Sequence, residues 1–184
     1  MCIKMNYIYT IAQCIGVLGI ITYVVMYQLE SMKKIRRAKL LMDTFWGIHY
    51  LMLGATAGFV ANAVCFVREI VFIKSDKPGF DGRKWLCLFV GINIVSAIIT
   101  WKGVYSALPA VVSVLGTYGF WQKKVNVARV LALICNILMF TYDLFITSYA
   151  GMVGELLAFV SVIIAICKAR KLKYYEMLSK KDSL

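Results

Sequence analysis

Polar and charged residues stand inside otherwise apolar runs of this 184-residue chain, and the types and spacing of ten of them frame the chemistry it could perform. Asn136, Asp143 and Thr147 fall at i, i+7 and i+11 with Met139 and Phe140 between them, a spacing that places the three on one face of a helix. An earlier run carries Asp43, Tyr50 and Gly54 at the same spacing. Two such stripes facing each other would line a central cavity. Asp143 is the leading candidate: a carboxylate there could hold a cationic or hydroxylated solute or carry a coupling proton, and a structural hydrogen bond to a neighbouring helix is the competing reading. His49 is the single histidine, beside the stripe, and suits either helix packing or a pH-linked role. Asn62 and Glu155 sit near the outer ends of their runs, where Glu155 could gate, bind cations or occupy a helix N-terminus. Arg68 and Glu69 lie near the opposite end of the third run. Adjacent helical residues diverge by about 100°, so the expectation is that Arg68 snorkels toward lipid headgroups, while an inward Arg68 paired with Asp43 or Glu69 would make an anionic substrate plausible.

The elements that must position these residues follow from composition. The chain is 61% apolar and 16% charged, with a mean hydropathy of +0.77, and its segments are apolar on every face instead of along one stripe. Such helices need an apolar solvent all round, which predicts an all-α, polytopic membrane protein whose partner is the lipid bilayer. Seven runs qualify, 7–28, 40–56, 59–73, 85–100, 105–121, 130–149 and 152–167, with tight breaks expected at Ala57-Gly58 and Ala150-Gly151. The first run is expected to stay in the mature protein, since its basic cluster follows the apolar stretch instead of preceding it.

Charge sets the expected orientation. Of the 21 basic residues, 18 fall in alternate connections and the tail: Lys33, Lys34, Arg36, Arg37 and Lys39; Lys74, Lys77, Arg83 and Lys84; Lys123, Lys124 and Arg129; and six from Lys168 to Lys181. The positive-inside rule then puts the N-terminus outside and the C-terminus in the cytoplasm, which requires an odd number of crossings. The tail, with Tyr174 and Tyr175, reads as an interfacial anchor.

The same distribution argues against nucleic-acid binding despite the net charge of +12. The six cysteines are scattered singly without a C-x-x-C pair and read as small core residues, so no metal site or cofactor is expected. No G-x-S-x-G, H-E-x-x-H or phosphate-binding loop occurs, and no enzymatic role is expected.

An offset of 93 lays Arg36 on Arg129, Asp43 on Asn136, His49 on Tyr142, Tyr50 on Asp143, Gly58 on Gly151 and Asn62 on Glu155. This predicts a parallel repeat of two three-helix units, 7–73 and 105–167, joined by a linker helix at 85–100 and followed by a basic tail at 168–184: seven transmembrane helices in a 3+1+3 plan.

The run from His49 to Gly54, followed by Ala57-Gly58 and Arg68, and the later Tyr142-Asp143 and Gly154-Glu155, resemble the YgjV-type bacterial inner-membrane family over about residues 15–170. The resemblance implies location and architecture. More remotely, the 3+1+3 plan is similar to SWEET, PQ-loop and nicotinamide-riboside-type transporters, which carry small polar solutes by alternating access. Where PQ-loop proteins have a Pro-Gln pair in the first helix of each half, this chain has Ala12-Gln13 and Pro109-Ala110, so only Pro109 offers a proline hinge. The reading that follows is a carrier or facilitator of a small polar solute, possible also as a homo-oligomer. The alternative is a non-transporting receptor or assembly factor whose buried polar groups lock the bundle.

Overall fold

A computed structural model describes residues 2–74 and 80–181. They form seven α-helices: α1 (Cys2–Gln28), α2 (Met32–Met52), α3 (Thr56–Ile73), α4 (Gly82–Ile99), α5 (Leu108–Trp121), α6 (Val125–Phe145) and α7 (Tyr149–Lys181), with a short 3-10 turn at Val104–Ala107 leading into α5. No strand occurs among the described residues.

Six helical segments are long and apolar enough to cross a membrane. The exception is α2, whose first turns carry Lys33, Lys34, Arg36, Arg37 and Lys39. With 21 residues it is long enough, at 1.5 Å per residue, to cover about 30 Å. It hides its polar groups in protein: Arg36, Lys39, Asp43 and His49 are all buried, while Leu41, Ile48 and Leu51 face outward. The same inversion holds elsewhere. Ile98, Val130, Ile137, Val160 and Ile164 are exposed, whereas Arg68, Glu69, Asn93 and Asp143 are fully buried, the arrangement expected where the surrounding solvent is hydrocarbon. Cysteines divide the same way: Cys65 and Cys135 are buried as expected, but Cys14, Cys87 and Cys167 face outward.

The helices close a ring in the order α1, α2, α3, α5, α6, α7 and back to α1, with α4 packed outside against α3 and α5. Small residues set the approach distances. A Cβ on Gly16 would collide with that of Ala150, and one on Gly154 would press on the Trp46 ring.

Both tight breaks lie a few residues earlier than expected. After α2, Gly54 adopts φ 68°, Gly54 N–H donates to Leu51 O at 3.1 Å and Ala55 N–H to Tyr50 O at 2.9 Å. After α6, Thr147 adopts φ 56°, Thr147 N–H donates to Leu144 O at 3.4 Å and Ser148 N–H to Asp143 O at 2.9 Å. Both are left-handed helix C-caps with the paired bonds of a Schellman motif. Ala57, Gly58, Ala150 and Gly151 therefore lie inside the first turns of α3 and α7 and serve close helix approach instead of turning the chain. A threonine in the left-handed region is costly where glycine is free, by about 1–2 kcal/mol. Thr147→Gly is therefore expected to raise the melting temperature of the detergent-solubilised protein, and a fall in thermal scanning would refute that account.

Arg36 and Arg129, read from the sequence as loop charges, are buried helix caps. Arg36 donates to Phe72 O at 2.7 Å and to Phe120 O at 2.6 Å, at the last turns of α3 and α5. Arg129 donates to Tyr27 O at 2.9 Å and Leu29 O at 3.3 Å, at the end of α1. The carbonyls at a helix end have no partner within the helix, and guanidinium groups satisfy them. Lys39 is likewise buried inside α2. The expectations for Lys77 and for the side chains of Tyr175, Lys180 and Lys181 lie outside the described residues.

Helix α4 opens on Asp81, whose carboxylate accepts from the backbone N–H groups of Arg83 at 3.1 Å and Lys84 at 3.3 Å. The Lys84 backbone hydrogen bond, ahead of the other contacts, holds this exposed carboxyl below its ordinary value. A depressed value means the cap's contribution is present above the ordinary aspartate value and fades as pH falls through the depressed one. Asp81→Asn is expected to flatten that acid-side decline, measurable as a smaller loss of melting temperature between neutral and acid pH.

Pro109 occupies the first turn of α5, directly after the 3-10 turn. No intrahelical bond is lost at that position, so Pro109 starts the helix and does not kink it. Helix α7 continues through the basic tail to Lys181, well beyond the expected end of the seventh run.

Candidate functional site

All six ring helices contribute to an internal cavity of about 80 Å³. One wall is the α2 face built by Lys39, Asp43, Trp46 and Tyr50, at i, i+4, i+7 and i+11. Helix α1 supplies Tyr23 and Tyr27, α3 supplies Asn62, Cys65 and Arg68, α5 supplies Pro109 and Phe120, α6 supplies Cys135 and Met139, and α7 supplies Glu155. The space holds several water molecules or a solute of a few heavy atoms, and is smaller than a drug-sized pocket.

Two ion pairs stand at one end. Lys39 Nζ lies 2.6 Å from Asp43 Oδ1, one helical turn away on α2. Arg68 is completely buried, which overturns the snorkelling expectation. Its Nε and Nη2 donate to Glu69 Oε1 at 3.0 and 2.6 Å, and its Nη1 donates to Thr117 Oγ1 at 3.0 Å and Ser113 O at 3.2 Å. The long arginine side chain spans the 100° between neighbouring positions, and α5 offers oxygens where lipid would offer none. Lys39 and Arg68 both stand over the Phe120 ring, at 5.6 and 5.2 Å from its centroid.

The carboxylates are unevenly partnered. Among the described residues Asp43 Oδ2, Glu69 Oε2 and Asp143 Oδ2 have no hydrogen-bond partner, and neither Asp143 nor Glu155 belongs to an ion pair. Glu155 lies in the second turn of α7, past the N-terminal position the sequence allowed it. Ser148 caps that terminus instead, its hydroxyl accepting from Gly151 N–H at 3.1 Å. With the Asn136 amide oriented to satisfy its surroundings, its Nδ2 donates to Ala132 O at 2.8 Å, approaches the Tyr23 hydroxyl at 2.7 Å and lies 3.3 Å from Glu155 Oε2.

Asp143 is buried and not part of the cavity wall. Its Oδ1 accepts from the Tyr50 hydroxyl at 3.0 Å, and its carboxylate is pressed against Gly151, so the residue joins α2, α6 and α7. His49 is also off the wall and fully occupied: Nδ1 lies 2.7 Å from Ala12 O and Nε2 lies 2.7 Å from Ser148 Oγ. The Ala12 carbonyl requires Nδ1 to donate, while the Ser148 hydroxyl can serve Nε2 as donor or acceptor. Asn62 lines the cavity and donates to Gly58 O at 2.9 Å.

Of the residues singled out in the sequence, the cavity therefore gathers Asp43, Tyr50, Asn62, Arg68, Pro109 and Glu155, while Asn136, Asp143, His49 and Glu69 stand behind it. Lys39, read from the sequence as a loop charge, also lines the cavity, as do Tyr23, Tyr27, Trp46 and Phe120, which the sequence did not single out. The signal was available for Lys39 and Trp46, which complete the helical face carrying Asp43 and Tyr50. For Tyr23 and Tyr27 it was the i, i+4 spacing of two hydroxyl-bearing rings in an apolar run.

No match was found among curated proteins or among solved structures. A family described as bacterial inner membrane protein, Imp-YgjV, matches residues 10–173. That span takes in every cavity residue and nearly all of the seven helices, and the chain belongs to the Imp-YgjV family of bacterial inner membrane proteins.

Proposed function

We propose that this inner-membrane protein is a carrier or facilitator of a small polar solute, working by movement of two three-helix halves about the cavity between them. One observation carries the reading: among the described residues, the cavity wall holds a carboxylate oxygen without a hydrogen-bond partner, Asp43 Oδ2, and a carboxylate without an ion pair, Glu155. Unmet polar groups at membrane depth are expensive, and a solute that supplies their partners offsets that cost.

Reciprocal contacts support the 3+1+3 plan. Arg36 and Arg129 are 93 positions apart, and so are the carbonyls of Phe120 and Tyr27 that they cap on the opposite half. At the other end His49 bonds Ser148 at the start of α7, and Tyr142, 93 positions on, accepts from Gly58 N–H at 3.1 Å in the first turn of α3. The two Schellman turns, at Gly54 and Thr147, keep the same spacing. A parallel repeat relates such contacts by one axis, and α4 supplies the odd crossing. The basic residues give this plan an outside N-terminus and a cytoplasmic C-terminus.

Uptake of a metabolite mixture into proteoliposomes tests the proposal, comparing the wild type with Asp43→Asn. The expected result is accumulation of a small solute by the wild type and its loss in the variant. Absence of accumulation under every imposed gradient would leave the receptor or assembly-factor reading in its place.

A further inference from the structure

The chemistry of the cavity wall selects among small polar solutes. We propose that the cavity binds a small primary ammonium compound, its –NH₃⁺ seated against Glu155 between the tyrosine pair of α1 and the Trp46–Tyr50 pair of α2. This deepens the carrier reading and rests on it for the transport step only.

Charge argues for a cation. The two cavity cations are already matched: Lys39 is bound to Asp43 at 2.6 Å, and the three guanidinium nitrogens of Arg68 are engaged by Glu69, Thr117 and Ser113. Glu155 is 5% exposed, faces the cavity, and belongs to no ion pair among the described residues. An anion would have to break a buried ion pair to find a partner and would leave Glu155 uncompensated. A neutral solute would leave Glu155 equally uncompensated.

The walls agree with this. The Tyr23 and Tyr27 rings lie 5.6 Å apart on α1, and Trp46 and Tyr50 stack at 5.8 Å on α2. Aromatic faces around a desolvated ammonium attract it through the ring quadrupole, and Asp43 Oδ2, also on the cavity wall, has no hydrogen-bond partner among the described residues. A volume of about 80 Å³ limits the solute to a few heavy atoms.

Binding to the full-length protein in detergent tests the proposal, read by thermal stabilisation and tryptophan fluorescence. Ethanolamine and glycine are the ammonium probes, the one an amine and the other a zwitterion. Acetate and 1-propanol are the controls without an ammonium group. Binding of either ammonium probe in preference to both controls is expected, and which one binds tells an amine site from an amino-acid site. Glu155→Gln, with unchanged helicity and a single size-exclusion peak, is expected to weaken that probe by about 30-fold or more. If Glu155→Gln does not fold, the wild-type ranking of the four probes decides alone. Equal or tighter binding of acetate or propanol, no binding of any probe, or undiminished affinity in folded Glu155→Gln would overturn the proposal. Proteoliposome uptake separates it from the carrier reading: an ammonium probe that binds without accumulating rejects the carrier alone, and accumulation of an anion with no ammonium binding rejects the ammonium site alone.

Discussion

Replacing Arg68 with methionine is expected to cost about 3–5 kcal/mol, the largest stability loss of any single change considered. Arg68 and Glu69 are both fully buried, and Glu69 Oε2 already lacks a partner. Removing the guanidinium takes away both hydrogen bonds that Glu69 Oε1 accepts from it and leaves a fully buried carboxylate without its ion-pair partner. Breaking a buried pair from one side costs far more than removing the pair together, because the residual charge has no solvent to turn to. The double variant Arg68→Met with Glu69→Gln is therefore expected to recover much of the loss. Chemical denaturation in mixed micelles reads both numbers. A single variant as stable as the wild type would mean that Glu69 gives up its charge without cost, and a double variant worse than the single would mean that Glu69 has partners beyond Arg68.

Gly151→Ala is expected to be nearly as damaging, in a different way. A Cβ at Gly151 would run into the Asp143 carboxylate, which the Tyr50 hydroxyl holds at 3.0 Å. Overpacking of this kind costs about 1–3 kcal/mol, and here the only escape is to move Asp143 away from Tyr50. The matched position responds by the same logic, since a Cβ on Gly58 would lie 2.9 Å from the Tyr50 ring. Asp143→Ala in the Gly151→Ala background is expected to restore part of the lost melting temperature by vacating the contested space. Strict additivity of the two losses would count against a direct clash, because residues in contact do not add.

These two results depend on contacts that differ in how far the sequence announced them. Helix existence was legible: apolar runs long enough for lipid, ended by charge clusters, give seven helices near their observed places. Helix ends were not, because Gly58 and Gly151 invite a reading as turns, whereas the turns sit at Gly54 and at Thr147, a β-branched residue whose left-handed backbone no propensity suggests. The two turns, like the two glycines, lie 93 positions apart.

The site divided along the same line. Which residues are too polar for lipid is a property of composition, and Asp43, Tyr50, Asn62, Arg68, Asp143 and Glu155 were all identified as such. Which of them face a cavity depends on helix rotation, and rotation is set by partners distant in the chain. Asp143 turns toward Tyr50 and Gly151, His49 toward Ala12 and Ser148, and Arg68 toward α5 instead of toward headgroups. By itself the sequence determined an all-helical membrane chain with ionisable groups inside its spans, because transfer into hydrocarbon depends on residue type and run length alone. Only the tertiary structure decided that Arg68 stays inside the bundle with Glu69 and α5, and that Glu155 faces the cavity without an ion pair among the described residues, because both depend on how helices distant in the chain rotate and pack against one another.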